Sequence, residues 1–429
     1  MKLDDTGGKT VDLLGAGIDN TALLPHLTGA SAIRVWVDDP HSVPADVAAV
    51  YSSAGVPIGA VADWECGQLV VRSPGFPRYR SDIAAVLAEC QPGSVTTAVN
   101  LWLETYGDRY PTVIVTGTKG KSTVARMLAS VLPGSELVGN IGEPIWDLVP
   151  PEDPVPIVVE VSSYQAVDMT YRPTLGILTS LSEDHVSWHG SVDRYHRDKL
   201  KPLHAADRVQ TQPALLPLFG GHSDARAPEP ENRVVASDDL PGHMAANASL
   251  AVAAARWLAD DLGVAVVPDP VATIRNLPPL VGRLREIRVG DEHRWFDDSL
   301  ASNPSGAAAA IAAFASDHLW LIVGGIDRHV SPQPLLDALL GCDHPVSVVA
   351  VPNNGGVLID QMQDAGVVID QRASAANVQR AVAEVRARAR GRSTVLFSPA
   401  APTPPQHGNW ADRSAAFEAA VVEQLHDPR

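Results

Sequence analysis

The feature that most restricts what this chain can fold into is the segment Thr116-Gly117-Thr118-Lys119-Gly120-Lys121-Ser122-Thr123. It follows the apolar β-branched run Thr112 to Val115 and precedes an amphipathic stretch with Val124, Met127, Leu128 and Val131. A strand running through Gly-x-x-Gly-Lys-Ser into a helix is the context a phosphate loop needs. Glycines let backbone N–H groups face phosphate oxygens, and the helix N-terminus favours their charge. The pattern predicts ATP on Gly117, Thr118, Lys119, Gly120, Lys121, Ser122 and Thr123, with Lys121 on the β/γ oxygens and Ser122 on Mg²⁺. A Gly-rich turn opening any helix is the bland alternative, and the coincidence of strand, glycines, lysine and two hydroxyls argues against it. The spacing is about two residues shorter than the common GxxxxGK[ST] loop, which points away from ordinary kinases and GTPases.

Around this loop, short β-branched runs alternate with Ala/Leu-rich helical stretches, the signature of α/β architecture with parallel sheets. At 429 residues, two or three domains are expected. Turn residues at Tyr106–Pro111 and the Pro/Gly run Leu277–Arg283 place boundaries that give 1–109, 110–282 and 283–429. The first segment opens with Val11–Leu14, the turn Gly15-Ala16-Gly17, and a second strand Ile33–Val37 ending at Asp38. Residues 212–232 read as loop, a helix begins near Asn247, and Ala307–Ala315 reads as a helix.

A formal charge of -17 with no Lys/Arg block disfavours nucleic acid and anionic membranes as partners. Arg386–Arg392, with Glu384 four residues before Arg388, reads as a solvated helix face. No uncharged apolar run of about eighteen residues and no basic-then-apolar N-terminus is present, so a cytoplasmic location is expected. Cys66, Cys90 and Cys342 lie far apart and read as three buried thiols, neither a disulfide framework nor a zinc site.

Glu160 ends a predicted strand, which sets its carboxylate beside the loop at the carboxyl edge of the sheet, where ligands gather in open α/β folds. His185 also follows a strand, but a hard Mg²⁺ prefers oxygen, so spacing alone does not make it a ligand. Lys199 by itself reads as a surface lysine.

Taken in order, the loop, Glu160–Gln165, Glu183-Asp184-His185, Tyr195–Lys199, His243–Asn247, Asp298-Ser299, Gly324-Gly325 and Ser398-Pro399-Ala400 resemble the Mur ligases of peptidoglycan precursor synthesis. The likeness is greatest to the branch that adds glutamate to UDP-N-acetylmuramoyl-L-alanine. It implies a Rossmann-like N-terminal domain for the UDP-sugar, a central P-loop ATPase domain with a mainly parallel sheet, and a Rossmann-like C-terminal domain for the amino acid. It also implies an acyl-phosphate route with two Mg²⁺ ions held by Ser122, Glu160, His185 and a carbamylated Lys199. By the same resemblance Ile18, Asp19, Asp38, Gly75 and Asn140 hold the UDP-sugar, and Asn247, Arg283 and Asp298 hold ATP. Ser302, Arg328, Thr403 and Trp410 receive the amino acid, and a monomer is expected.

The chain departs from the glutamate-adding pattern at Leu300, where a lysine is usual, at Arg328 for lysine, at Met244 for asparagine and at Thr403-Pro404-Pro405. With Trp188-His189-Gly190, these changes look more like the branch that adds L-glutamate, working with a glutamyl epimerase, than the D-glutamate branch. The rivals are a folylpolyglutamate-synthase-like or secondary-metabolite amide ligase, and a non-catalytic nucleotide sensor.

Overall fold

Three sheets carry the described residues, and the central strands of each are buried along nearly their whole length. The computed structural model describes residues 1–429 apart from 141–143, 238–239, 241, 279, 315–317, 328–330, 405–406, 424–429 and the side chain of His243. By its contacts the chain divides into two compact units, Met1–Leu277 and Pro278–Arg429.

The first unit holds two sheets. One has strands β1 (Thr10–Leu14), β2 (Ala32–Val37), β3 (Ile58–Ala60), β4 (Leu69–Arg72) and β5 (Val95–Thr96), in the order β3-β2-β1-β4-β5. The other has β6 (Thr112–Thr116), β7 (Glu136–Gly139), β8 (Ile157–Glu160), β9 (Leu175–Leu178), β10 (Arg208–Thr211) and β11 (Ala225–Arg226), in the order β11-β10-β9-β6-β8-β7. All pairings in both are parallel. β6 and β8 are buried along their whole length, which is why they read as unbroken Val/Ile runs rather than as alternation.

Residues of both sheets enter one apolar cluster. Val11, Leu13 and Val35 of the first sheet pack with Val99 and Trp102 of helix Ala98–Tyr106 and with Ile114, Ile157 and Val159 of the second. On the opposite face of the second sheet, Val113, Val115 and Val158 pack under helices Lys121–Val131 and Gly242–Leu262.

The second unit has β12 (Arg285–Ile287), β13 (Arg294–Asp297), β14 (His318–Val323), β15 (Val346–Ala350), β16 (Arg372–Ser374) and β17 (Ser393–Phe397), ordered β12-β13-β17-β14-β15-β16. Only β12 runs antiparallel to its neighbour. Its two faces are covered separately: Leu319, Leu321 and Val323 lie in one cluster, Trp320 and Ile322 in another.

Several expectations are corrected. Residues 212–232 include the short 3-10 helices Pro213–Phe219 and Pro230–Asn232 and β11, and the helix expected near Asn247 starts at Gly242. The Ala-rich helix runs Pro304–Ile311, and Ala315 lies outside the described residues. Cys66 and Cys90 are joined in a disulfide, and all three cysteines are half-buried rather than buried. Cys90 caps helix Ser81–Glu89, which packs on the same Leu14, Val70 and Ile83 cluster as Cys66, a proximity that a separation of 24 residues does not reveal. Arg388 pairs with Glu384 at 2.8 Å as the spacing suggests, but Arg386 lies 5.1 Å over the Trp295 ring and pairs with Asp291 at 3.1 Å.

Candidate active site

The phosphate loop leaves the carboxyl end of β6 and enters helix Lys121–Val131 through Gly120, whose φ of 83° is left-handed. Gly117, at φ 150°, has no room for a side chain, because an added Cβ would overlap Thr179 Oγ1. The segment after β9 holds the loop from the side. Ser180 Oγ accepts from Lys119 N at 2.8 Å, Thr118 N donates to Ser180 O at 2.9 Å, and Thr118 Oγ1 lies 2.9 Å from the Tyr195 hydroxyl. Asn247 lies against the loop, since a Cβ on Gly120 would come within 3.0 Å of its Oδ1.

Two lysines converge on one loop carbonyl. Gly117 O accepts from Lys121 Nζ at 3.0 Å and from Lys199 Nζ at 2.8 Å. Lys199 is 2% exposed, so the surface reading is wrong: helix Val192–Ala205 turns this position into the interior. Burial holds its ammonium well below the usual lysine range, and the charge of Lys121 pushes the same way against Asp184 and Glu160. A lysine so placed has a share of neutral, nucleophilic amine.

Glu160 ends β8 directly beside Val115 and is 1% exposed. Its Oε1 accepts from Asn140 Nδ2 at 2.9 Å, while Oε2 is buried with no hydrogen-bond partner among the described residues. An orphaned carboxylate oxygen beside a phosphate loop suits a hard divalent cation. Among the described residues no three acidic, histidine or cysteine side chains cluster as a metal site. His185 has left-handed backbone, φ 51°, and its Nδ1 lies 2.7 Å from the Tyr164 hydroxyl.

A cleft of about 580 Å³ adjoins these residues, lined by Ile18, Asp19, Gly75 and Asn140 together with Ser73, Phe76, Tyr164 and Gln165. Four of the five residues expected to hold the UDP-sugar thus share one cavity. Asp38 does not line it: its exposed carboxylate pairs with Arg80 at 2.6 Å. The far wall is set by a capping box, in which Ser162 Oγ accepts from Gln165 N at 3.2 Å and Gln165 Oε1 accepts from Ser162 N at 2.9 Å. Gln165 Nε2 then donates to Asp19 Oδ2 at 3.2 Å, across the cleft. Burial raises the Asp19 carboxyl above the ordinary range.

Sequence reading missed a buried polar group beneath this cleft. Arg72 pairs with Asp168 at 2.7 Å; His189 Nδ1 meets Asp198 Oδ2 at 2.7 Å and its Nε2 meets Ser163 Oγ at 3.0 Å; Tyr79 donates to Asp198 at 2.8 Å. The one available signal was Trp188-His189 and Asp198 flanking His185 and Lys199.

The remaining expected residues belong to the second unit. Asp298 follows β13, accepts from Ser398 Oγ at 2.7 Å, and is pushed up to about 7 by burial, with Arg283 pulling the other way. Arg283 Nε and Thr403 Oγ1 are buried without hydrogen-bond partners among the described residues. Ser302 is half-buried, Trp410 is exposed beside Gly282, and Arg328 lies outside the described residues.

The Mur ligase middle domain matches residues 115–206, the stretch from the phosphate loop past Lys199. The UDP-N-acetylmuramoyl-L-alanine--L-glutamate ligase of Salinispora tropica is 32% identical, covering 98% of this chain and 99% of that protein. The UDP-N-acetylmuramoylalanine--D-glutamate ligase of Mycolicibacterium smegmatis is 30% identical over 97% of both. A crystal structure of MurF from Acinetobacter baumannii shares the fold, with a TM-score of 0.57 at 16% identity over 99% of this chain and 92% of that one. With a relative at 32% identity spanning both proteins almost end to end, the chain belongs to the Mur ligase family.

Proposed function

We propose that the protein joins glutamate, and by preference L-glutamate, to UDP-N-acetylmuramoyl-L-alanine at the expense of ATP, as a step in peptidoglycan precursor synthesis. One observation carries the reading: a phosphate loop, an orphaned Glu160 oxygen and the buried Lys199 stand in one unit with a cleft lined by Ile18, Asp19, Gly75 and Asn140. The full-length likeness to a ligase of that name supports the substrate. In this reading residues 1–109 hold the UDP-sugar, 110–282 the ATP and 283–429 the amino acid.

The substrate carboxylate attacks the γ-phosphate of ATP and expels ADP, and the amine then attacks the resulting acyl phosphate, losing a proton and displacing phosphate. Both partners of the first step are anionic, so charge compensation dominates the barrier. Lys121 meets the β/γ oxygens on swinging away from the carbonyls of Gly117 and Thr118, which it caps at 3.0 and 3.2 Å. Ser122 or Thr123 with Glu160 would hold one Mg²⁺, and His185 with a carbamylated Lys199 a second; such ions would supply positive charge to the converging oxygens. A neutral amine is the form that takes up CO₂, and burial favours it at Lys199. In the second unit Ser302, Arg328, Thr403 and Trp410 receive the amino acid, Arg328 as the guanidinium that grips carboxylate. Asn247, Arg283 and Asp298 contact the nucleotide. The enzyme acts as a cytoplasmic monomer and supplies a glutamyl epimerase with its product.

The separate sheet β1–β5 ahead of the loop counts against a folylpolyglutamate-synthase-like ligase. Lys121, Glu160 and Lys199 together count against a silent sensor. Phosphate release with UDP-N-acetylmuramoyl-L-alanine and ATP, with L-glutamate, D-glutamate, other amino acids or none, tests the proposal. Turnover with L-glutamate at least about tenfold above D-glutamate in kcat/KM is expected. Turnover with neither enantiomer ends the ligase reading, and preference for D-glutamate ends the stereochemical one.

A further inference from the structure

Arg72 closes β4 directly beneath the cleft and is fully buried. Its Nη1 donates to three carbonyls, those of Ser73 at 2.9 Å, Pro74 at 2.8 Å and Phe76 at 3.1 Å. Its Nη2 donates to the carbonyl of Tyr164, and its Nε to Asp168 Oδ2 at 2.7 Å. Ser73, Pro74 and Phe76 line one wall of the cleft, in the loop that leaves the first sheet; Tyr164 lines the other, in helix Ser163–Ala166 of the second. One planar guanidinium therefore ties both walls together. Beyond it, the Tyr164 hydroxyl meets His185 Nδ1 at 2.7 Å, and the Trp188 ring lies 5.3 Å from the Arg72 guanidinium and 4.8 Å from the Tyr164 ring.

We infer that Arg72 is a positioning residue: a buried cross-brace that sets the width of the nucleotide-sugar cleft and, through Tyr164, the placement of His185 beside it. The role needs a fork of donors at fixed angles, which a lysine ammonium does not offer. Asp168 makes the brace tolerable in the interior by compensating its charge, and Arg78 shares that carboxylate. The inference rests on the ligase reading above.

The test uses the full chain. Arg72→Met/Asp168→Asn removes brace and counter-charge together, and Arg78, the other partner of Asp168, keeps partial access to solvent. In this variant the KM for UDP-N-acetylmuramoyl-L-alanine is expected to rise about tenfold and kcat to fall about tenfold, with the KM for ATP within about twofold. Arg72→Lys, which keeps the charge and loses the fork, gives the same split at smaller size and decides the matter if the double variant does not fold. A purely structural role predicts instead a lower active fraction with both KM values unchanged. That result, or parental kinetics in Arg72→Lys, overturns the inference. Calorimetric titration with UDP runs in parallel. If the parent protein binds UDP without turning over, the ligase reading fails, while about tenfold weaker binding by the double variant still upholds the brace; equal binding removes it.

Discussion

Lys199 is the residue whose chemistry is most exposed to test. Its side chain is buried against Gly117 O, with Tyr195 on one side, so no bulk solvent replaces what is lost on truncation. If it serves as a carbamate, Lys199→Ala removes one anionic oxygen ligand and leaves a hole of matching shape. Activity should fall on the order of 100-fold or more and recover in part when a short carboxylate such as acetate or propionate is added to the buffer. Full activity in the untreated variant would end the carbamate assignment. Asp298 offers a second test, through pH. Its folded carboxyl is raised to about 7 from 3.8, so between those values the folded state holds a proton that the unfolded chain has released. The favourable contribution is therefore complete below about 3.8 and is lost as pH rises to about 7. Urea unfolding should show stability decreasing with rising pH across this window, by at most about 1.4 kcal/mol per pH unit for the single proton. Asp298→Asn should remove that slope; a slope unchanged in the variant assigns it to other groups.

At the scale of elements, what the sequence revealed was whatever has a local cause. The phosphate loop was legible because glycines, lysine and hydroxyls are contiguous between a buried strand and a helix, and β6 begins and ends within a residue of the apolar run that suggested it. Glu160 was legible because a strand end is a local event. Lys199 reads as a surface group because its own helix does not announce the phosphate loop, whose Gly117 carbonyl meets its ammonium in the interior. The same limit explains the Cys66–Cys90 bridge and Arg72. Arg72 sits in an otherwise apolar strand, Leu69-Val70-Val71, and only the meeting of that strand's end with helix Ser163–Ala166 shows what the guanidinium is for. The UDP-sugar residues came from a resemblance, and four of them meet in one cleft, whereas Asp38 joins Arg80 outside it. Positions 300, 328 and 403, where the chain departs from the glutamate-adding pattern, are proposed to bear on the amino acid and are read least directly, since Arg328 lies outside the described residues.

For the whole molecule, the two compact units differ in how self-sufficient their parts are. Pro278–Arg429 covers both faces of its sheet with its own helices: Ala307, Leu335, Leu339 and Ile359 on one side, Val382, Val385, Phe417 and Val421 on the other. Among the described residues those clusters draw only on positions 284–421, so a fragment of residues 278–429 should express as a soluble domain with a single cooperative melting transition. Residues 110–282 have no such independence. Ile114, Trp146, Ile157, Val159, Val161 and Met169 are buried in a cluster completed by Val11, Leu13, Val35, Leu101 and Trp102, all of which precede residue 110. Each large apolar side chain returned to water costs about 1.5–3 kcal/mol. Half a dozen together match or exceed the roughly 5–15 kcal/mol that separates a folded domain from its unfolded chain. A fragment of 110–282 is therefore expected to aggregate or to lack a cooperative transition by circular dichroism, while 1–277 melts as one. A soluble 110–282 with a sharp transition would show that the two sheets of the first unit are energetically separate, and that the cleft they line is assembled by docking rather than by a shared core.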